Sequence, residues 1–323
     1  MDTDSVSQKE VLSTKDGLHF SLRSIPFSHY NEKARWALDY FQIPYVEYRS
    51  LPMCHMISMF KYRAKGAPWV AEGSPFVTPF LMVTPTTAAA GKKLEAKECI
   101  TFNDSTAIMS FLSDQYGAPA GDSKSAPTSL YSNNEETKAK ILALEDRFDK
   151  MIGPHVRRYV YYEALIKSPK KVGRALGHHD NAGKLQSWIW SLFFPLISYI
   201  LIKLFHVNDA SAARSKDIIR REFEHISRVL ESGPPGPAYL IGNQFTAADL
   251  TLASLAAMVV GVLQEDGYGA WVPPVTEWTP EAQSFCQELR KTTAGKHVVE
   301  CYKLHRGQKA PGSSYGFNFF GLW

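Results

Sequence analysis

Hydrophobic residues first alternate with polar ones and then change to helical spacing. The alternating positions are Leu18, Phe20 and Leu22, and the helically spaced ones are Ala34, Ala37, Leu38 and Phe41. This pattern predicts a strand over 18–25 and a helix over 31–42, joined by a short turn. A second strand is predicted over Tyr45–Arg49. The resulting βαβ unit predicts parallel strands with a right-handed crossover.

Two more strands and a helix complete the first part of the chain. Phe76–Val83 is predicted to be a strand entered through Pro79. Proline can open a strand, although it cannot donate a hydrogen bond to the strand ladder. Glu98–Phe102 is predicted to be the returning strand of a hairpin, and Asn103-Asp104-Ser105 begins the next helix. With a short helix in 53–75, the order β-α-β-α-β-β-α predicts a mixed four-stranded sheet with helices on its faces. This is the thioredoxin-like plan, an α/β fold.

The strand pattern disappears in the second part of the chain, which is predicted to be all-α. A small, polar and proline-rich stretch predicts a linker over 118–134. We therefore predict a thioredoxin-like domain over 16–117 and an all-helical domain over 135–310. An aromatic and glycine-rich tail over 311–323 is expected to pack back on the body.

Two helices of the second part have informative patterns. Thr246 and Asp249 have the spacing of a capping box and open an almost wholly apolar helix. The segment 188–205 is about the 18-residue length at which a membrane span must be considered. Pro195 lies in its middle, so a buried or domain-swapped helix pair broken there fits at least as well. Contact of 188–205 with a membrane surface is a third alternative.

Composition narrows the class of protein. Hydrophobic residues make up 45% of the chain and charged residues 21%, which is typical of a globular protein. The net charge of +4, without a basic stripe, argues against a nucleic-acid partner. The four cysteines are far apart and predict neither a metal site nor a disulfide framework. The N-terminal residues lack the apolar core of a secretory signal, so we expect a cytoplasmic protein.

Ser28 is the first candidate for chemistry because it lies at the predicted start of a helix. A helix start offers unpaired N–H groups and the positive end of the helix dipole. A Ser28 hydroxyl at this position can hold a thiolate or another anion. The alternative is that Ser28 only caps the helix or lies in the loop.

Four segments, in order, resemble the soluble glutathione S-transferase family. They are Ser28-His-Tyr-Asn-Glu-Lys-Ala-Arg-Trp-Ala-Leu, Val77-Thr78-Pro79, Asp104-Ser105-Thr-Ala-Ile and Leu240-Ile-Gly-Asn-Gln-Phe-Thr-Ala-Ala-Asp-Leu. The first resembles the start of the family's first helix and the second its strand entry with a cis-proline. The third resembles its acid-serine pair, and the fourth its second-domain capping box. The resemblance spans about residues 16–305 and implies a divergent, serine-type member.

This resemblance implies a glutathione site. Ser28 would donate a hydrogen bond to the glutathione sulfur, and Thr78, between Val77 and Pro79, would pair with the peptide backbone of glutathione. Asp104 would bind the γ-glutamyl ammonium and Ser105 the carboxylate. Ordinary helix capping by Asp104 and Ser105 is the alternative, and both uses can coexist.

Two neighbours of Ser28 are alternative ligands for the sulfur. Tyr30 ranks after Ser28, and His29 ranks last because we expect it to lie in solvent. Many sequences with the same Ser-His-Tyr-x-Glu-Lys pattern carry cysteine at the position of Asn31. The thiol for the redox chemistry of such relatives is therefore missing from this position of the chain.

The implied activity is conjugation of glutathione to a small electrophile, or reduction of that electrophile by glutathione. Arg158 and Tyr162, with the tyrosines between them, are candidates to line the electrophile pocket, or they pack between the domains. The family commonly forms homodimers, so we expect one here. A non-catalytic glutathione-binding or interaction protein on the same fold is the alternative.

Overall fold

The computed structural model describes residues 17–57, 59, 76–85, 99–119, 127–232 and 239–317. The N-terminal part contains β1 (Leu18–Ser24), α1 (His29–Tyr40), β2 (Tyr45–Arg49), β3 (Phe80–Pro85), β4 (Ile100–Phe102) and α2 (Ser105–Tyr116). The helical part contains α3 (Glu135–Met151), α4 (Gly153–Tyr161), α5 (His179–Leu204), α6 (Asp209–Glu231), α7 (Ala247–Ala256), α8 (Pro280–Lys291) and α9 (Thr293–His305). A last strand, β5 (Ser314–Phe317), follows α9.

The sheet has the strand order β4-β3-β1-β2-β5. β1 pairs in parallel with β2 and antiparallel with β3, and β3 pairs antiparallel with β4. These four strands and their two helices form the predicted thioredoxin-like plan. Because helices follow almost exclusively from residue 135 to 305, the predicted fold class is confirmed. The loops predicted within 60–75 and 86–98 lie outside the described residues.

The sheet has five strands rather than the predicted four, because the tail contributes β5. β5 pairs in parallel with β2, with Tyr315 opposite Glu47. The Lys309 ammonium lies 4.8 Å from the centre of the Tyr315 ring and 5.5 Å from that of the Tyr45 ring. β5 thus covers an edge of β2 that would otherwise present unpaired backbone groups. Hydrophobic periodicity carries no signal for such a long-range pairing.

The strand registers bring three loops to one end of the sheet. Arg23, near the end of β1, lies opposite Phe80 at the start of β3. Leu81 lies opposite Phe102 at the end of β4. The turn after β1, the loop before β3 and the loop after β4 are therefore neighbours. These three loops carry the residues that the sequence resemblance points to.

Helix α1 lies between the sheet part and the helical part. Ten of its twelve residues are buried, and it packs against α2 and α7. The Trp36 indole donates a hydrogen bond to the carbonyl of His305 at 3.1 Å. The Tyr268 hydroxyl donates to the carbonyl of Phe27, just before α1, at 3.0 Å. The helical part therefore fixes the position of α1 from outside the sheet.

The predicted capping interaction at α7 is present. The Asp249 carboxylate accepts from the backbone N–H of Thr246 at 2.9 Å and from its hydroxyl at 2.7 Å. It also accepts from the backbone N–H of Leu240 at 2.9 Å. All ten residues of α7 are buried, so this helix forms the core of the helical part, as its apolar sequence predicts.

Helix α5 continues through Pro195, so the predicted break at this residue is wrong. The non-helical backbone lies instead near the start of α5, at Ala182 and Gly183. Proline lacks the N–H that would bond the carbonyl four residues earlier, which is that of Ser191. The Arg174 guanidinium donates to this carbonyl at 3.3 Å. An outside donor therefore compensates for the missing backbone hydrogen bond.

Candidate functional site

Ser28 is the N-cap residue of α1, with the extended backbone that this position requires (φ −75°, ψ 126°). Its side chain is half-buried and makes no capping hydrogen bond to α1. Among the described residues, no side-chain or backbone group pairs with its hydroxyl. The capping alternative from the sequence therefore does not account for Ser28, and its hydroxyl is free to meet a ligand.

Asn31 lies one turn after Ser28 and holds the loop that precedes β3. Its side-chain amide donates to the Thr78 hydroxyl at 3.1 Å, and the Thr78–Pro79 peptide is cis, as the resemblance implied. Pro79 is buried, whereas Val77 is exposed. Asn31 is completely buried, and its amide oxygen has no partner within the described segments. This position therefore connects α1 to the loop, a role that the sequence did not reveal.

Asp104 and Ser105 begin α2 at the same end of the sheet. The exposed Asp104 carboxylate accepts from the backbone N–H of Ala107 at 2.8 Å, so it caps its own helix. Ser105 is buried. The Lys33 ammonium donates to the Thr106 hydroxyl at 2.7 Å, which connects α1 with the first turn of α2. The structure therefore brings the start of α2 close to α1 while one Asp104 oxygen already serves as a cap.

Tyr30 uses its hydroxyl within the protein. It donates to the backbone carbonyl of Asp149, near the end of α3, at 3.1 Å. Burial, and then the nearby Asp149 carboxylate, raise the pKa of Tyr30 above its ordinary value. This hydroxyl is therefore already engaged, which weakens Tyr30 as an alternative ligand for a sulfur.

His29 is buried, so the expectation of a solvated loop residue is wrong. It is the first residue of α1, and the start of α4 at Gly153 packs against this turn. Burial, and then the Arg157 guanidinium, lower the pKa of His29 to about 3. Its Nε2 atom has no hydrogen-bond partner in the described part of the chain. His29 is therefore a neutral, partly unsatisfied group directly beside Ser28.

Arg157 is the residue of this region that sequence reasoning missed. Its guanidinium lies 4.4 Å from the centre of the Phe205 ring, and its charge lowers the pKa of both His29 and Tyr30. No carboxylate pairs with it among the described residues. Arg157 therefore adds a positive charge near the start of α1 that no described carboxylate pairs directly, while Asp149 and Asp104 act on Tyr30 with the opposite sign. The sequence offered only the adjacent pair Arg157-Arg158 as a signal. Because adjacent residues of a helix point about 100° apart, the two arginines face different neighbours, and the sequence alone does not say which one faces α1.

Arg158 and Tyr162 face α6 in the structure. The Arg158 guanidinium contacts the Phe205 carbonyl at 3.4 Å and the Ser215 hydroxyl at 3.3 Å. The Tyr162 hydroxyl donates to the Asp209 carboxylate at 2.5 Å. Both side chains are engaged within the helical part, and no contact joins them to Ser28 or Thr78 among the described residues.

A buried group of charged residues lies on the other flank of α1. This ionic cluster consists of Glu32, Arg35, Asp39, Glu47, Arg49 and Arg306. Arg306 lies 2.8 Å from Glu32 and 3.0 Å from Asp39. Burial alone would raise the pKa of Glu47, but Arg49 and Arg35 lower it to about 2. The cluster satisfies its own charges and joins α1, β2 and the end of α9.

One group of side chains in the described regions has the composition of a metal site, although the sequence predicts none. It consists of three consecutive residues at the start of α5, His178, His179 and Asp180, whose ligand atoms lie within 4.8 Å of one another. His178 already accepts from the Asp180 N–H and stacks on Trp271. These residues cap α5 and lie on another helix than Ser28.

Comparison with known proteins concerns the fold. No protein-family model and no curated protein matches the chain. The chain is similar to the solved glutathione transferase URE2P8 from Phanerochaete chrysosporium, which holds oxidised glutathione. Identity is 15%, the match covers 90% of this chain and 98% of that one, and the TM-score is 0.45.

Two further solved structures have the same degree of similarity. A glutathione S-transferase from Rhodospirillum rubrum matches at 15% identity, over 89% of this chain and 100% of that one, with a TM-score of 0.45. Ure2p in complex with glutathione matches at 13% identity, over 88% and 94%, with a TM-score of 0.46. The observed thioredoxin-like sheet followed by helices is the fold that the sequence resemblance implied. At these identities and TM-scores the similarity concerns the fold alone.

Proposed function

We propose that the chain binds glutathione at the start of α1 and uses its thiolate to attack or reduce a small electrophile. The observation that carries this proposal is the Ser28 hydroxyl at the N-cap of α1, which makes no capping hydrogen bond and has no partner among the described residues. It lies on the same helix turn as Asn31, which holds the Thr78–Pro79 loop. In this proposal Ser28 donates a hydrogen bond to the sulfur.

The electrostatic surroundings favour a thiolate over a thiol. The N-terminal amides of α1 and the helix dipole stabilise a nearby anion, and the Arg157 charge acts in the same direction. In conjugation the sulfur forms a bond to the electrophilic carbon, and the leaving group departs with its bonding electrons. In reduction a second glutathione supplies the other thiol, and glutathione disulfide is the oxidised product.

The ends of glutathione would be held by the two loops next to α1. The Thr78 backbone would pair with the cysteinyl unit, with Val77 beside it. The Asp104 oxygen that is not used for capping would bind the γ-glutamyl ammonium, and Ser105 would bind the carboxylate. The buried Asn31–Thr78 bond would fix the distance between these two halves of the site.

We place the electrophile against α4, near Arg157 and Tyr161. The rings of Tyr161 and Phe205 lie 5.4 Å apart, and Arg157 lies over Phe205, so apolar and cationic surfaces meet there. We also propose that the protein acts as a homodimer in the reducing environment of the cytoplasm. Cys54, Cys286 and Cys301 are free thiols, which is consistent with such an environment.

Calorimetry with glutathione tests the proposal, with the wild type compared with Ser28→Ala. Conjugation to a generic aryl halide is measured in parallel. The control is Ser110→Ala, which removes a half-buried hydroxyl from a different helix, α2. We expect turnover to fall about 10- to 100-fold for Ser28→Ala, because a hydrogen bond to a charged atom contributes roughly 1.5–3 kcal/mol. Ser110→Ala should keep wild-type turnover.

The other outcomes separate binding from catalysis. If the wild type and Ser28→Ala both bind glutathione and neither shows turnover, the result would support the alternative of a glutathione-binding protein that does not catalyse transfer. Absence of glutathione binding in the wild type would refute both functions and leave only the fold.

A further inference from the structure

Helix α5 exposes an unusual amount of apolar surface. Of the fifteen large hydrophobic residues that are exposed in the described chain, seven lie on this helix. Five of them follow one another at intervals of three or four residues, and each is 53–61% exposed. We call them the α5 stripe: Leu185, Trp188, Leu192, Leu196 and Tyr199. This spacing places them along one side of the helix.

The opposite side of α5 is fixed to the protein. The Gln186 side chain accepts from the Leu51 N–H at 2.9 Å and donates to the Arg49 carbonyl at 3.3 Å. The Trp190 indole donates to the Gly173 carbonyl at 3.2 Å. By length and composition α5 could cross a membrane, but these buried contacts keep it along the protein surface. In this fold the α5 stripe can meet a membrane only from the side.

Exposed basic side chains lie on α5 and on the segment that precedes it. Lys184 and Lys203 lie exposed on α5 itself. Three more exposed basic residues precede the helix: Lys170, Lys171 and Arg174. Arg174 reaches α5 directly, because its guanidinium lies over the Phe194 ring and donates to Ser191.

Acidic residues contribute little negative charge to this surface. Asp180 is the only acidic residue within α5, and it lies 3.3–3.4 Å from the two histidines beside it. Asp209 follows the helix and accepts from Tyr162. Glu163, in the preceding segment, is buried. The rim of the α5 stripe is therefore strongly cationic.

We propose that the α5 stripe docks on an anionic lipid surface, with α5 lying in the plane of the interface. An apolar helix face with a basic rim and interfacial aromatic residues is the combination that such surfaces bind. Trp188 and Tyr199 supply rings that favour the headgroup level, and the rim meets the negative lipids.

A second copy of the chain fits this surface less well than a membrane. An isologous dimer would place the same basic rim from each copy close to the other. Lys170, Lys171 and Arg174 of the two copies would then add their charges at one interface, where the described acidic residues Asp180 and Asp209 offset only part of them. An anionic membrane instead supplies opposite charge along the whole rim. Charge complementarity therefore favours lipid as the occupant.

Co-sedimentation with vesicles tests the proposal. The full chain is mixed with vesicles of phosphatidylcholine containing 30% phosphatidylserine, or with phosphatidylcholine alone. We expect anionic vesicles to bind at least about tenfold more tightly, since each basic residue near the surface contributes roughly a fivefold gain. Raising the salt concentration should weaken this binding.

Two sets of variants separate the apolar and the basic contributions. Leu192→Ser with Leu196→Ser removes half-exposed apolar surface, and Lys170→Glu with Lys171→Glu reverses part of the rim. Each pair should reduce vesicle affinity at least about tenfold. The control pair is Leu142→Ser with Leu304→Ser, which removes leucines of 41% and 56% exposure from α3 and α9. It should bind vesicles as the wild type does.

Several results would overturn lipid docking. They are equal binding to neutral and anionic vesicles, unchanged binding by both stripe and rim variants, or resistance of the bound protein to alkaline carbonate extraction. A wild-type dimer that the Leu192→Ser and Leu196→Ser pair dissociates, with no vesicle binding, would identify a second copy as the occupant. Glutathione affinity should be unchanged in every variant, so failure here is distinguishable from failure of the proposed function.

Discussion

Buried polar side chains have partners on one side of α1 and lack them at its N-terminal end. On the flank that faces α9, Glu32 and Asp39 are buried, and Arg306 pairs with both. At the N-terminal end, the His29 Nε2 atom and the Asn31 amide oxygen are just as buried, but they have no partner in the described part of the chain. The same helix therefore contains one region with satisfied polar groups and one with unsatisfied groups.

This difference separates buried polar groups that have partners from buried polar groups that have none in the described residues. Buried charges need partners because desolvation costs several kcal/mol per ion, and the ionic cluster provides them. Unsatisfied buried groups are rare in folded proteins, and two of those in the described residues lie in the first turn of α1, next to Ser28. Both atoms are buried beyond the reach of a ligand, so these residues serve the proposed site by positioning the start of α1 and, through Asn31, the Thr78 loop.

The largest expected effect comes from breaking the satisfied flank. Arg306→Met leaves the buried Asp39 carboxylate without its ionic partner and leaves Glu32 with Arg35 alone. We expect the free energy of unfolding to fall by roughly 3–5 kcal/mol, because the variant buries uncompensated charge. Urea denaturation at neutral pH measures this change.

The matched control removes an exposed arginine. Arg220 pairs with Glu288 on the surface, with exposures of 37% and 44%. Arg220→Met should cost less than about 1 kcal/mol, because solvent screens an exposed ion pair. Equal losses in Arg220→Met and Arg306→Met would contradict a structural role for the buried cluster.

The next effect concerns pH and the unsatisfied flank. The pKa of His29 is about 3 in the folded protein, well below the ordinary value of roughly 6.5. The unfolded chain therefore binds a proton first as the pH falls, and stability is lost below about pH 6.5. Linkage gives a loss of about 2 kcal/mol between pH 7 and pH 5 from this residue. His29→Phe should remove this part of the pH dependence.

Urea midpoints of both proteins at pH 7 and pH 5 measure the difference. The wild type minus variant difference isolates the contribution of His29. Glu47 does not interfere, since its pKa of about 2 places its titration below this window. An identical pH dependence in the two proteins would show that folding does not lower the pKa of His29.

A smaller effect is expected for the bond between α1 and the loop. Asn31→Ala removes the donor to Thr78 and should cost about 1 kcal/mol of stability. Glutathione affinity should fall as well, because the loop loses its fixed position. Thr78→Val removes the acceptor instead, and the double variant should show coupling of about 1 kcal/mol. Additive losses would mean that this bond does not position the loop.

The smallest effect is expected at Ser28, in contrast to the other N-cap. Asp104→Ala removes a capping hydrogen bond and should cost about 1 kcal/mol. Ser28→Ala should change stability by less than about 0.5 kcal/mol, because its hydroxyl makes no such bond. Thermal denaturation of the two variants compares them directly. A loss at Ser28 as large as that at Asp104 would indicate that Ser28 is a structural cap.

Much of the fold could be predicted from the sequence because local patterns specify it. The strand over 18–25 and the helix over 31–42 occur within two residues of their predicted bounds. The capping pair at Thr246 and Asp249 was visible because its spacing is fixed by helix geometry. These features depend on residues that are close together in the chain.

The remaining features depend on contacts that are remote in sequence. The pairing of β5 with β2, the burial of His29 under α4 and the Arg174 contact to Ser191 each join separate elements. The last of these lets Pro195 lie inside α5. No periodicity within one segment could have indicated these contacts.

The same limitation applies to the candidate site. The positions of Ser28 and the Thr78–Pro79 loop follow from the sequence resemblance, but the Asn31–Thr78 bond does not. Arg157 was missed in favour of Arg158 because the rotation of α4 about its axis decides which arginine faces α1. That rotation is set by packing against other helices.

The parallel pairing of β5 with β2 has a consequence for the order of synthesis. A ribosome completes β2 early, but β5 emerges only after the entire helical part. Throughout that interval the nascent sheet has an open edge at β2, which is a site for wrong strand pairing. Arg49 in β2 belongs to the ionic cluster and also stacks on Tyr315 at 4.6 Å. A fusion or deletion at the C-terminal end would therefore affect the sheet that holds the start of α1.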